Sequence, residues 1–396
     1  MLLERSVGLK DHGRPVLTRA FEQTSNDFNE ASSFNRRALF VGGCPKSGTT
    51  LLLALLDAHP ELVTLPAETH YLEELPRLSK LPGFQAKLRQ LLTHLDPHLA
   101  HGEKLETIHD NSSVDPRCQL ALDFERFKAL AMEFANRRGM NDSLLLSETV
   151  RAYTSIAGGD WRGCARWVEK TPSNVARADD LFRLFPEAKL IQIVRDPRAV
   201  FASRRRRLVN RYGSHTKAHR LVREWNESSR QITRLRERTG NYLLVHYEDL
   251  VRNSRRVMKK ISRFTGISFL PLLLEPTFGG KPWAGNSTFG GAFRGIESQP
   301  LDRWKTELTE DEIWWIELHC REGMEIAGYE PMTDAKFSVP RWARRLPGES
   351  WRGYLRARKS SLCQMAGLLE DCRYDVEPQT VPRREPAYCT PTRENP

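Results

Sequence analysis

The chain has 396 residues, 39% hydrophobic and 28% charged, and 61 Lys and Arg against 50 Asp and Glu give a formal net charge of +11. That length allows a substantial core in one large domain or two smaller ones, and no stretch approaches the ~20 apolar residues that span a bilayer. Seven scattered cysteines, with no CxxC pair and no His–Cys cluster, argue against a disulfide framework or a zinc site.

The basic excess favours an anionic partner: a nucleotide cofactor, a sulfated or phosphorylated acceptor, an anionic membrane or nucleic acid. Most of it reads as solvated helix faces. The opening residues hold no apolar core of signal-peptide length, so a cytoplasmic protein is expected. Residues 1–36 are polar and weakly periodic and read as a leader. Residues 38–41, ALFV, have the bulk of a buried strand, and 42–47 form a turn with two glycines, a proline and Lys46. From Thr49 an apolar helix-forming run extends to His59 and Pro60, with His59 closing the helix against its dipole. Strand, glycine-bearing turn and helix start aim several backbone N–H groups at one spot. The helix dipole adds partial positive charge there and Lys46 a full one. Such a spot binds a phosphate or a sulfate.

Residues 61–65 predict a second strand, followed by the loop Pro66-Ala67-Glu68-Thr69-His70. Residues 71–139 read as helical, with Pro76, Pro82, Pro97 and Pro116 as breaks. Phe124, Phe127, Leu130, Ala131 and Phe134 form a core stripe there. A further helix is predicted over 144–157, a strand over 166–171, a helix over 175–185 and a strongly apolar strand over 190–194. Asp196 as N-cap and Pro197 as first helical residue start a helix carrying Arg198 to Arg207. A basic helix over 217–238, a strand over 242–246 and a helix over 254–264 follow. This alternation predicts an α/β fold, a P-loop NTPase-like parallel sheet with helices on both faces, plus a helical insertion and a helical C-terminal extension. Residues 271–300 are a glycine-rich loop that Trp283, Phe289 and Phe293 are expected to order. Thr309 and Glu312 make a capping box for a helix ending at Gly328. The main domain is expected over 37–335, and a basic extension with a disordered tail over 336–396.

A Walker A loop needs GxxxxGK[ST]. Gly43 and Gly48 have its spacing, but Thr49 stands in the lysine position and the lysine has moved back to Lys46. No strand ends in an aspartate suited to magnesium: 190–194 runs into Arg195, and 242–246 ends at His246. Such a site suits a group less charged than a γ-phosphate, one that lysine and arginine alone neutralise, and a sulfuryl group meets that description. A P-loop kinase or NTPase, and a basic nucleic-acid or membrane-binding module with a vestigial nucleotide site, are the competing readings. Arg195 emerges at the carboxyl end of a buried strand, where ligands of such sheets bind. Ser203 and Arg207 lie one helical turn apart on one face, Arg204 to Arg206 read as solvated, and Tyr247 as either pocket lining or core.

The segments CPKSGTTLL, LDAHP, ETHYL, VEKTPSN, LFPEAKLIQIVRDPRAVFAS and YEDLV, in this order, resemble the P-loop sulfotransferases. The branch that they most resemble holds the tyrosylprotein sulfotransferases and many bacterial relatives, and the likeness covers about residues 39–329. The resemblance implies 3'-phosphoadenosine 5'-phosphosulfate as donor and no metal. Lys46, Ser47, Gly48, Thr49 and Thr50 would then grip its 5'-phosphosulfate, and Arg195 and Ser203, with Arg207 alongside, its 3'-phosphate. Tyr247 would line the adenine or 3'-phosphate pocket, Ser287 and Asn286 would close over the donor, and Arg303 beside Trp304 would meet a phosphate. In-line transfer would use Glu68 as base and Lys46 and Lys170 to stabilise charge. The link from the loop to Glu68 is one residue longer than in tyrosylprotein sulfotransferases, and Ala67 replaces the first of their paired glutamates, so His70 stays open as the alternative base. The implied partner is a hydroxyl-bearing acceptor, less readily an amine: a glycan, a lipid or a peptide, for which the basic excess suits an acidic one, meeting the 71–157 region. Nucleic acid is not expected; peripheral membrane contact through 336–396 and a homodimer are further expectations.

Overall fold

The computed structural model describes residues 33–99, 122–136, 142–212, 218–238, 240–283, 285, 296 and 301–333. Five strands, β1 (Ala38–Gly43), β2 (Leu62–Thr64), β3 (Arg166–Lys170), β4 (Lys189–Val194) and β5 (Tyr242–His246), form one sheet in the order β2-β3-β1-β4-β5. Every pairing is parallel. The fold is therefore the expected α/β class. Its central strand β1 is buried along its whole length, which is why it reads as an unbroken apolar run rather than an alternating one.

Alternate residues serve opposite faces. Phe40, Trp167 and Leu190 belong to one core with the helical insertion, and Leu39, Val41, Val168, Ile191 and Ile193 to another. The second face is covered by α1 (Thr49–Leu56) and its neighbours. The insertion comprises α2 (Tyr71–Leu78), α3 (Gly83–Leu99), α4 (Phe124–Asn136) and α5 (Asp142–Ile156). Phe124, Phe127 and Ala131 of the α4 stripe are buried, as expected. Two of the predicted breaks do not break. Pro76 lies inside α2, and Pro97 inside α3. The lost backbone bond at Pro76 is outweighed by the buried stripe Leu72, Leu75 and Leu78 on the same short helix. Only Pro82 separates two helices, and Pro116 lies outside the described residues.

After β3 a 3-10 segment (Pro172–Arg177) precedes α6 (Ala178–Leu184), splitting the single helix expected there. β4 leads to α7 (Pro197–Tyr212), capped as predicted by Asp196, whose Oδ1 accepts the Arg198 N–H at 2.8 Å. Then come α8 (Ala218–Leu235), a short α9 (Tyr247–Arg252) that the sequence reading missed, and α10 (Ser254–Thr265). The β6–β7 hairpin (Thr277–Phe278, Lys281–Pro282), α11 (Trp304–Glu307) and α12 (Glu310–Ala327) complete the described chain. α12 opens with the Thr309–Glu312 capping box and closes at Gly328.

Two further expectations are corrected. α1 ends at Leu56, before His59, so His59 does not serve its dipole. It is buried instead, with Nε2 against the Ser268 carbonyl at 3.0 Å and Nδ1 accepting the Glu61 N–H. Nor are Arg204 and Arg205 on α7 solvated; the side chain of Arg206 lies outside the described residues. Arg204 pairs with Glu224, and Arg205 with Glu312 and the Glu307 carbonyl. Arg198 is buried between Asp196 (2.7 Å) and Glu317 (2.6 Å), with its guanidinium 4.3 Å from the Trp304 ring. These pairs fasten α7 to α8, α11 and α12. Among the described residues no helix is long and apolar enough to cross a membrane. Residues 1–32 of the leader and the 336–396 extension lie outside the described residues.

Candidate active site

The site gathers at the carboxyl ends of β1, β3 and β4, the edge where open parallel sheets bind ligands. β1 leaves the sheet at Gly43, where φ is 152° and a Cβ would fall 2.2 Å from the Ile193 carbonyl oxygen of β4. The chain turns through Cys44, Pro45, Lys46 and Ser47 and enters α1 at Gly48, whose φ is 97°. Lys46 also has a left-handed backbone, φ 77°, which costs a side-chain-bearing residue about 1–2 kcal/mol. Strain of that kind persists where surrounding structure fixes it, and it clusters at ligand clamps. The first N–H groups of α1 have no intrahelical partners, and the dipole makes that end positive. Ser47 is wholly buried, and its hydroxyl has no partner among the described residues. Burial pushes the adjacent Cys44 thiol far above its ordinary pKa, so Cys44 packs as an apolar residue.

Arg195 meets this loop from β4. Its Nη1 donates to the Lys46 carbonyl at 3.2 Å, its guanidinium carbon sits 4.3 Å from the Tyr247 ring centroid, and its buried Nε has no partner among the described residues. Tyr247 backs the loop as well, since a Cβ on Gly48 would reach within 2.4 Å of its ring. Tyr247 thus packs in the core while supporting both the loop and Arg195. Ser203 is buried on α7, downstream of Arg195. Arg207 lies on the same helix, but its side chain is outside the described residues, as are Ser287 and Asn286. Arg303 stands at the start of α11, next to the buried Trp304.

The opposite wall joins Glu68 and Lys170. Lys170 is 4% exposed at the end of β3, and its ammonium contacts Glu68 Oε1 and reaches Thr50 Oγ1 at 3.4 Å. A buried ammonium is tolerable only when so paired. Glu68 also faces His70 Nε2 at 3.5 Å, while His70 Nδ1 lies 2.7 Å from Glu73. Burial of Glu68 favours its protonated form, but the Lys170 charge and the His70 and Lys170 hydrogen bonds overcome it and hold the carboxyl far below the usual range. His70, hydrogen-bonded to Glu68 and Glu73, is pushed up to about 10. Both contacts favour its protonated, proton-donating form over the neutral form a base would need.

The sequence reading missed Glu169, although it lies inside the VEKTPSN segment. Its carboxylate is 1% exposed and accepts from Thr69 N–H (3.2 Å), Thr69 Oγ1 (2.9 Å), Thr171 Oγ1 (2.6 Å) and Asn174 Nδ2 (2.6 Å). A glutamate inside an apolar strand, next to a lysine, was the available signal.

The family model for the sulfotransferase family matches residues 38–271, more than half of the chain. The chain belongs to the sulfotransferase family. The chain is 25% identical to the protein-tyrosine sulfotransferase of Drosophila melanogaster over 264 residues, 65% of this chain and 44% of that protein. With protein-tyrosine sulfotransferase 1 of Danio rerio it shares 25% over 273 residues, 67% of this chain and 64% of the relative. It thus spans about half to two thirds of the length of these relatives. The human carbohydrate sulfotransferase 1 is 27% identical over 168 residues, 36% of this chain and 39% of that protein. Among solved structures, the sulfotransferase domain from the curacin biosynthetic pathway aligns with a TM-score of 0.43 and 19% identity, over 74% of this chain and 97% of that domain.

Proposed function

We propose that this chain transfers a sulfuryl group from 3'-phosphoadenosine 5'-phosphosulfate to a hydroxyl of its acceptor. The observation that carries this reading is a pair of buried groups at the loop, the Ser47 hydroxyl and Arg195 Nε, that have no partner among the described residues. Buried polar atoms normally find partners, and the anionic ends of this donor supply them. The residues fit the group: Lys46, Ser47, Gly48, Thr49 and Thr50 would hold the 5'-phosphosulfate, and Arg195 and Ser203 the 3'-phosphate. When bound, the donor supplies an activated sulfuryl group with a bisphosphate as leaving group.

The protein's own groups supply the rest. Lys46 and the α1 N-terminus stabilise negative charge on the oxygen left behind. Glu68 takes the acceptor's proton. Its pairing with Lys170 makes it a weak base at rest, and transfer of the Lys170 contact to another anion restores its basicity. His70, already protonated, serves as a hydrogen-bond donor that orients Glu68. A tyrosine phenol and a carbohydrate hydroxyl are the two acceptor classes to test, since the relatives include protein-tyrosine and carbohydrate sulfotransferases. Calorimetry with adenosine 3',5'-bisphosphate tests the donor reading. Lys46→Ala and Arg195→Ala should each weaken binding at least tenfold, and unchanged affinity in both would refute it.

A further inference from the structure

Glu169 is a buried carboxylate satisfied by neutral donors in four hydrogen bonds, and those donors come from the segments that carry the reactive groups. Oε1 accepts from the backbone and hydroxyl of Thr69, between Glu68 and His70, and from Thr171, next to Lys170. Oε2 accepts from Asn174, whose amide also donates to the Val41 carbonyl of β1 at 3.3 Å, just ahead of the anion loop. Each hydroxyl that donates to Glu169 is thereby oriented to accept a backbone N–H: Thr171 Oγ1 from His70 and Thr69 Oγ1 from Tyr71, both at 3.2 Å. His70 needs such restraint. Its φ is 49°, a left-handed backbone for a residue with a side chain, which persists only where surrounding contacts over-determine it.

We propose that Glu169 is a positioning residue that locks the Glu68–His70 loop to the end of β3, setting the base and Lys170 against each other. Only a carboxylate meets all four donors. A glutamine keeping its oxygen toward Thr69 and Thr171 would turn its own NH2 onto the NH2 of Asn174. The role assigned to Glu68 rests on the sulfotransferase reading above; the lock itself does not.

The test follows the His70 imidazole by NMR titration in the full chain, with adenosine 3',5'-bisphosphate affinity and melting temperature measured alongside. In the wild type the imidazolium should persist above pH 9, because the lock seats it between Glu68 and Glu73. In Glu169→Gln it should titrate at least one pH unit lower, with bisphosphate affinity within threefold of wild type. Thr171→Val, which deletes only the relaying hydroxyl, should shift His70 in the same direction and serves if Glu169→Gln does not fold. An ordinary His70 titration in the wild type, or one unmoved in the folded variants, overturns the proposal. So does a bisphosphate affinity in those variants that falls more than threefold. Absence of bisphosphate binding by the wild type refutes the donor reading and leaves the His70 readout to decide the lock.

Discussion

Substituting Gly48 by alanine puts the geometry of the anion loop to a sharp test. Gly48 has φ 97°, and a Cβ there would lie 2.4 Å from Cδ2 and 2.8 Å from Cε2 of Tyr247. The left-handed backbone alone costs alanine about 1–2 kcal/mol, and forcing a rigid ring aside in a packed site adds about 1–3 kcal/mol. The combined loss of folding stability is therefore about 2–5 kcal/mol. The displaced ring is the one beneath Arg195, so that arginine loses the surface that holds it 4.3 Å above Tyr247. Loss of a charged hydrogen bond is worth about 1.5–3 kcal/mol, roughly 10- to 150-fold in bisphosphate affinity. Urea denaturation reads the first quantity and calorimetry the second. A Gly48→Ala protein with wild-type stability and wild-type bisphosphate affinity would refute the claim that Tyr247 couples the loop to Arg195.

Glu68→Gln should keep bisphosphate affinity while lowering transfer to a responsive phenolic or carbohydrate acceptor by about 10²–10⁴-fold; wild-type turnover in that variant would remove Glu68 as base. Arg198→Met removes the cation between the buried carboxylates of Asp196 and Glu317, leaving them only neutral donors, and should cost about 3–5 kcal/mol in urea unfolding. His70 has a folded pKa raised to about 10, so its contribution to stability is complete below the ordinary histidine value of 6.5 and is lost as pH rises from there toward 10. Urea midpoints measured across that window should fall, and His70→Gln should flatten the decline.

Much of the framework was legible because it is written locally. The apolar run of β1, the glycines on either side of Lys46 and the Asp196–Pro197 helix start each declare themselves within a few residues, and together they bring Arg195 to the loop. The roles of Glu68 and Lys170 came from family resemblance, and the contact between them, across 102 positions, has no local signature. What escaped depends on distant partners. His59 meets Ser268 across 209 positions, and Arg205 meets Glu312 across 107, so a helix-closing histidine and a solvated arginine were reasonable local readings of residues that tertiary packing uses otherwise. Pro76 shows the same limit, because its backbone penalty is visible in sequence while the burial that offsets it is not. Glu169 was hidden for a related reason: a buried carboxylate needs its donors named before it looks anything but misplaced.

The central claim is that the loop and Arg195 form a cradle for a nucleotide carrying both a 5'-phosphosulfate and a 3'-phosphate. Comparing adenosine 3',5'-bisphosphate with adenosine 5'-monophosphate by calorimetry on the wild-type chain tests it most directly, because the two differ only in the phosphate assigned to Arg195 and Ser203. The account predicts that the bisphosphate binds at least tenfold more tightly, and that Arg195→Ala abolishes the difference. Equal affinity for the two nucleotides, or no binding of either, would contradict it.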